Sequence, residues 1–242
     1  MNKLYIIMLC VLFVSPAFGK TITAAVPTWA PFVQAGEEMP GVSVEIVTEA
    51  FKTQGYRVDL KLMPWSRSLE ELKSGRVDSS VAVWFTEERS TFLAYSEPYL
   101  ENAVKFIKRR NDDFEYNGIE SLNGKTVGVI RNYGYGDEFL NAKSFRKPAS
   151  NDFVSNAKKL SAKRIDLTIE DELVAKYELA KAGFKVEDFS FTKNALSVNP
   201  LYMTVSLSIP QHAEYIEAFN KGLVEIRANG TYDEIMVRYG MK

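Results

Sequence analysis

Leu72-Lys-Ser-Gly75-Arg76-Val77-Asp78 and Leu160-Ser-Ala-Lys163-Arg164-Ile165-Asp166 repeat one local pattern. In each, an amphipathic helix runs out, a basic residue and a branched apolar residue follow, and an aspartate opens an apolar strand. A helix-to-strand unit used twice predicts two lobes of related construction. Working outward from the first copy, Thr21 to Val26 reads as a strand ending at Pro27, and Val42 to Gln54 as a helix closed by Gly55. Arg57 to Leu62 is a strand, Ser66 to Ser74 a helix and Asp78 to Val83 a strand. Around the second copy lie a strand Lys125 to Ile130 and helices Asp137 to Ala142 and Phe153 to Ala162. A strand Ile165 to Ile169 and a helix Glu170 to Ala182 follow. The tail adds a strand near Met203 to Leu207, a helix from Ala213 to Asn229 and a last helix capped by Thr231. Alternation of this kind is the pattern of an α/β architecture.

Composition narrows the function classes. Of 242 residues, 46% are hydrophobic and 25% charged, the values of an ordinary globular chain, and the net charge of −1 offers no basic surface for nucleic acid. Residues 1–19 differ: Lys3 precedes an apolar run Leu4 to Val14, Ser15-Pro16 breaks it, and Ala17-Phe18-Gly19 has the small-x-small form of a cleavage site. The run is shorter than the about 20 residues a membrane span needs, so the expectation is a signal peptide cut before Lys20. Cys10, the only cysteine, falls inside it, and Leu9 before it is too large for a lipoprotein signal. The expected mature protein is periplasmic, unanchored, monomeric and free of disulfides. With His212 the sole histidine and no Gly-x-Ser-x-Gly elbow, nucleophilic triads and common zinc sites lack parts. No metal and no cofactor is expected.

Several segments, taken in order, carry a resemblance: Trp29-Ala-Pro31-Phe32, Pro64-Trp65, Ser74 to Asp78, Thr86-Glu-Glu-Arg89 and Tyr95-Ser96-Glu97-Pro98-Tyr99 in the first half. Leu122 to Val129, Ile165-Asp166 through Asp171, and Ala228-Asn-Gly230-Thr231-Tyr232 follow in the second. In that order the chain resembles the bacterial solute-binding proteins of family 3, the polar amino-acid-binding type. The resemblance implies a periplasmic-binding-protein-like type II fold: two α/β lobes joined by two crossovers, with a ligand cleft between. By analogy lobe one is 20–101 plus 199–242 and lobe two 102–198.

The same resemblance assigns candidate ligand-binding residues. Arg89 stands where the family binds the ligand carboxylate, and a guanidinium matches that fork with two donors. Thr86 is placed to cap the turn holding it. By sequence alone, Arg89 reads first as an exposed arginine paired with Glu87 or Glu88, and only the family position reverses that preference. Asp171 stands where the family places an acid for the ligand ammonium. Its alternative is a helix N-terminal acid, with Glu170 and Glu172 beside it. Trp29 matches the family's stacking aromatic, or packs over the lobe core. Trp65 reads as structural, a staple at a helix entrance. Trp84 departs from the family, which carries a small hydroxyl residue or glycine nearby. An indole there fills space or stacks on an aromatic or cationic ligand, and puts the substrate in question. In Arg131-Asn-Tyr133-Gly134-Tyr135-Gly136, glycines open backbone amides to an anion, while Arg131 and Tyr133 replace the family's hydroxyls; the plain reading is a flexible turn.

The implied function is capture of an amino-acid-like molecule by hinge closure, Arg89 and Asp171 bridging the zwitterion, with delivery to a membrane permease of an ABC importer. The alternatives are a ligand-sensing protein of the same fold and a cyclohexadienyl-type dehydratase, which paired carboxylates leave open.

Overall fold

A computed structural model describes residues 20–36 and 38–242. The signal-peptide reading and Cys10 lie outside the described residues. The first lobe opens with β1 (Lys20–Val26), α1 (Val42–Thr53), β2 (Tyr56–Leu62), α2 (Trp65–Lys73) and β3 (Ser79–Trp84). β1 pairs in parallel with both β2 and β3. A short helix α3 (Glu87–Ser90) and strand β4 (Leu93–Tyr95) follow. The chain then crosses on β5 (Leu100–Arg109) to the second lobe, built from β6 (Val127–Ile130), α4 (Asp137–Asn141), β7 (Ala149–Ser150), α5 (Phe153–Ser161), β8 (Leu167–Asp171) and α6 (Glu172–Lys181). It returns on β9 (Phe189–Ser206), and α7 (His212–Ala228) and α8 (Thr231–Arg238) close against the first lobe.

The two crossovers are thus long antiparallel strands. β5 and β9 pair from Leu100↔Leu201 to Arg109↔Phe189. β9 also pairs with β3, and β5 with β8, so the sheet runs in the order β2-β1-β3-β9-β5-β8-β6-β7. Strand β3 is buried along its whole length, which is why Val81-Ala-Val83-Trp84 reads as one apolar run and not as an alternation.

The sequence repeat has a structural counterpart. In the first copy, Gly75 takes φ +68° to end α2, and the Asp78 carboxylate accepts the Thr23 N–H at 2.7 Å. In the second, Lys163 takes φ +57° after α5, and the Asp166 carboxylate accepts the Thr126 N–H at 2.7 Å. Each aspartate ties the strand it opens to its neighbour. At the other end of the first lobe, α7 lies directly on α1: a Cβ on Gly222 would sit 2.0 Å from the Ala50 carbonyl oxygen, so only glycine fits.

Several local expectations are corrected. The strand at Met203 is only the end of β9, whose Pro200 and polar, half-exposed middle hide it. The first crossover, implied by the resemblance, is strand β5, which the residue pattern did not show because buried Asn102 and Lys108 interrupt its apolar face. Glu170 belongs to β8 and not to the following helix, and α8 is capped by Gly230 with the Asn229 side chain accepting the Thr231 N–H at 3.0 Å.

Candidate functional site

The candidate residues converge where the strands of both lobes reach their carboxyl ends, as ligand sites in open α/β sheets do. Trp29 follows β1, Trp84 ends β3, and Trp65 opens α2. Opposite them, the turn after β6 brings Asn132, Tyr133 and Gly134, and β8 ends in Glu170 and Asp171. Asn132 adopts φ +63°, the left-handed region that asparagine tolerates better than most residues. Its carbonyl then faces the first lobe.

Arg89 is buried, 5% exposed, and reaches across the gap. Its Nη1 donates to the Trp84 carbonyl at 2.8 Å and its Nη2 to the Asn132 carbonyl at 2.7 Å. The guanidinium lies over the Trp65 ring at 4.9 Å, and burial pulls its pKa down from the ordinary arginine value. Trp65 Nε1 donates to the same Asn132 oxygen at 3.0 Å, and the Asn132 amide donates to Ser66 Oγ at 3.2 Å. One carbonyl of the second lobe therefore holds two side chains of the first. Thr86 Oγ1 accepts the Arg89 N–H at 3.1 Å and caps α3 as its position predicts. The alternative of an exposed Arg89 paired to Glu87 or Glu88 does not apply. Trp65, read as a staple, is instead a contact between the lobes.

Asp171 is buried and caps α6: its Oδ1 accepts the N–H groups of Leu173 and Val174 at 2.9 and 3.1 Å. Its Oδ2 lies 3.4 Å from the Asn102 amide, and Asn102 Oδ1 accepts Trp84 Nε1 at 3.0 Å. Burial raises its pKa, while the hydrogen bonds it accepts pull the other way. The Trp84 indole is edge-on to Trp29 and to Tyr133, both at 5.5 Å. It fills space in the structure. The expected pair Arg89 and Asp171 thus has its hydrogen bonds directed to the chain itself, with Trp84 and Asn102 between them.

Two adjoining cavities remain. The first, about 30 Å³, is lined by Trp29, Trp65, Ala82, Trp84, Arg89 and Tyr133 among others. That is room for a water or two and not for a carboxylate with its substituents. The second, about 470 Å³, lies on the far side of Trp29, Trp65 and Tyr133 and is bounded by Thr28, Met63, Phe153, Glu170 and Glu178. Its size suits a small ligand. Trp29 and Tyr133 line both cavities, whereas Asp171 lines neither. Gly134 is pressed against the first lobe, where a Cβ would meet Thr86 Cγ2 at 2.8 Å. Arg131 is exposed and borders neither cavity.

Glu170 was passed over in the sequence, hidden as one of three consecutive acids. It is 1% exposed. Its Oε1 accepts the Asp171 N–H at 2.9 Å and, from the other lobe, Trp29 Nε1 at 3.4 Å. Its Oε2 meets no hydrogen-bond partner among the described residues. Burial, with the like charges of Asp171 and Glu178, pushes its pKa up to about 8. The signal available was positional: it is the last residue but one of an apolar strand, just before a helix cap.

Two α/β lobes on a shared sheet, with a cleft between strand ends, define a type II periplasmic-binding-protein fold. The chain belongs to the bacterial extracellular solute-binding proteins, family 3, whose family model matches residues 22–242. Its role is that of a solute-binding protein. It is similar to the histidine-binding periplasmic protein of Escherichia coli K12, 24% identical, covering 88% of this chain and 84% of that protein. It is also similar to the arginine-binding periplasmic protein of Mannheimia haemolytica, 27% identical, covering 90% and 93%. An ancestral arginine-binding protein solved with arginine superposes with a TM-score of 0.77, at 23% identity over 92% of this chain and 99% of that one. A histidine kinase sensor domain superposes with a TM-score of 0.78, at 20% identity over 91% and 95%. The curated relatives named here are binding proteins, not enzymes.

Proposed function

We propose that the protein captures a small amino-acid-like solute in the periplasm by closing its lobes over it, and presents the closed complex to a membrane importer. The observation that carries the reading is the contact at Asn132: its carbonyl accepts Arg89 at 2.7 Å and Trp65 at 3.0 Å from the opposite lobe, beside the 470 Å³ cavity. These bonds exist only when the lobes meet, so a solute that fits the gap favours closure by its differential affinity for the closed form. In this reading Trp29, Trp65 and Tyr133 form the walls and Arg89, Thr86 and Gly134 the closing contact, while Trp84 and Asp171 support the floor. Residues 1–19 export the chain, the hinge lies on β5 and β9 between segments 20–101 plus 199–242 and 102–198, and the working unit is a monomer. The periplasmic relatives that bind histidine or arginine support both the compartment and the solute class.

The experiment is a thermal-shift and small-angle scattering screen against amino acids, amines and organic acids. A solute at a hundredfold excess over its Kd adds about 2.7 kcal/mol, which raises Tm by roughly 5–10 °C at this size. A compact form appearing with the shift supports capture. If no solute raises Tm or draws the lobes together, capture is wrong. The likeness to a histidine kinase sensor domain supports a second reading, in which the closed complex signals instead of feeding transport. A deletion strain that still takes up the solute but no longer responds to it separates the two.

A further inference from the structure

We propose that the cleft takes an organic cation lacking a carboxylate, an amine or guanidine whose charged head sits against Glu170 between the rings of Trp29 and Trp65. The inference rests on the capture reading above and replaces its solute class, amino acids, by the amines and guanidines that correspond to them.

Among the described residues, the charged side chains bordering the 470 Å³ cavity are Asp152, Glu170 and Glu178, with no lysine or arginine. Asp152 is committed to capping α5 through the Ser155 N–H at 2.7 Å. Glu178 makes no ion pair among the described residues, and burial and the nearby Asp152 raise its pKa. Glu170 is the decisive group: almost wholly buried, with one oxygen unpartnered. A carboxylate in that position is costly unless a positive group meets it. No cation of the described chain does so: Lys105, its register partner on β5, places Nζ 2.7 Å from Glu172 instead.

The opposite end of an amino acid finds no matching partner. Arg89, the cation placed for a carboxylate, donates to two carbonyls and stacks on Trp65. It faces the 30 Å³ cavity and is separated from the larger one by Trp29, Trp65 and Tyr133. Trp84 and the close approach of Gly134 to Thr86 leave a carboxylate no space there. The rings that line the larger cavity supply the remaining attraction, since a cation over a desolvated indole face is favoured and an anion is not. The acidic lining, whose buried carboxyl ionises against a cation, and the blocked anion pocket therefore select the same ligand.

The test is calorimetric titration of the exported protein with matched pairs: agmatine against arginine, cadaverine against lysine, histamine against histidine, with succinate as an anionic control. At least one amine should bind ten times or more tightly than its parent amino acid, and Glu170→Gln should weaken it about a hundredfold. Glu178→Gln, at a half-exposed position, should weaken it less, and circular dichroism establishes that both variants fold. Tighter binding of the parent amino acids, or amine binding indifferent to Glu170→Gln, overturns the proposal. Binding and closure by succinate alone also overturns it while leaving capture intact. If none of these probes, nor any solute of the wider screen, closes the lobes, capture itself falls.

Discussion

Glu170→Gln should change the pH dependence of stability more than any other single substitution in the cleft. The carboxyl group is moved by burial from near 4.5 to about 8 in the folded chain. Because the folded value lies above the unfolded one, the folded protein holds a proton that the unfolded chain releases. The associated stability is complete below about pH 4 and is lost as pH rises towards 8. At about 1.4 kcal/mol per pH unit the loss reaches roughly 5 kcal/mol near pH 8 and then levels off. Glutamine keeps the shape and the acceptor for the Asp171 N–H but does not titrate. The groups facing Glu170 are Asp171 and Glu178 on its own strand-helix unit and Tyr133 and Tyr135 on the turn after β6, while its register partner Lys105 on β5 is turned to Glu172. These are present in both proteins, so the difference between the two isolates Glu170. Urea unfolding at intervals from pH 5 to 9 measures it. The variant should match or trail the parent at pH 5 and exceed it by several kcal/mol at pH 9. Parallel curves for the two proteins would refute the argument that this carboxyl is buried and unpaired.

Other substitutions test separate parts of the account. Gly134→Ala places a methyl 2.8 Å from Thr86 Cγ2, so it should push the lobes apart, seen as a larger radius of gyration by scattering with unfolding stability within about 1 kcal/mol of the parent. Trp84→Ala vacates the space beside Arg89 and frees Asn102, and should strengthen binding of α-amino acids, read as a larger Tm rise with arginine or glycine than the parent shows. The same change should cost about 3–5 kcal/mol as a large-to-small core substitution. Gly222→Ala, whose methyl would overlap the Ala50 carbonyl, should lower stability by about 3 kcal/mol or prevent folding, measured by thermal unfolding.

The parts of this fold legible in the sequence are those built by local rules. Gly75 and Asp78 end a helix and start a strand through contacts within a few residues and one neighbouring strand, and Lys163 and Asp166 do the same. Their type and spacing were therefore visible. The crossover strands were implied only by the resemblance and not by the local pattern, because β5 and β9 pair with each other across the sheet, and that pairing admits Pro200 and a buried Asn102 that local propensity would reject. The site follows the same division. The resemblance singled out Trp29, Arg89, Tyr133 and Asp171, of which Trp29 and Tyr133 line both cavities, Arg89 the smaller one and Asp171 neither. Their partners depend on which carbonyl or amide the opposite lobe presents, and no single stretch of chain encodes that. Glu170 was hidden for a third reason: beside Asp171 and Glu172 it looks like one more helix-start acid, and only the end of β8 at Asp171 turns its side chain inward.

Proton release on binding reaches the centre of the account. Agmatine keeps its charge at pH 7.5, so titrating the protein with it in two buffers of different ionisation enthalpy counts protons lost by the protein alone. With the free carboxyl titrating near 8, binding should release about three-quarters of a proton, and Glu170→Gln should abolish the release. Binding with no proton released, or with the same release from the glutamine variant, would contradict it.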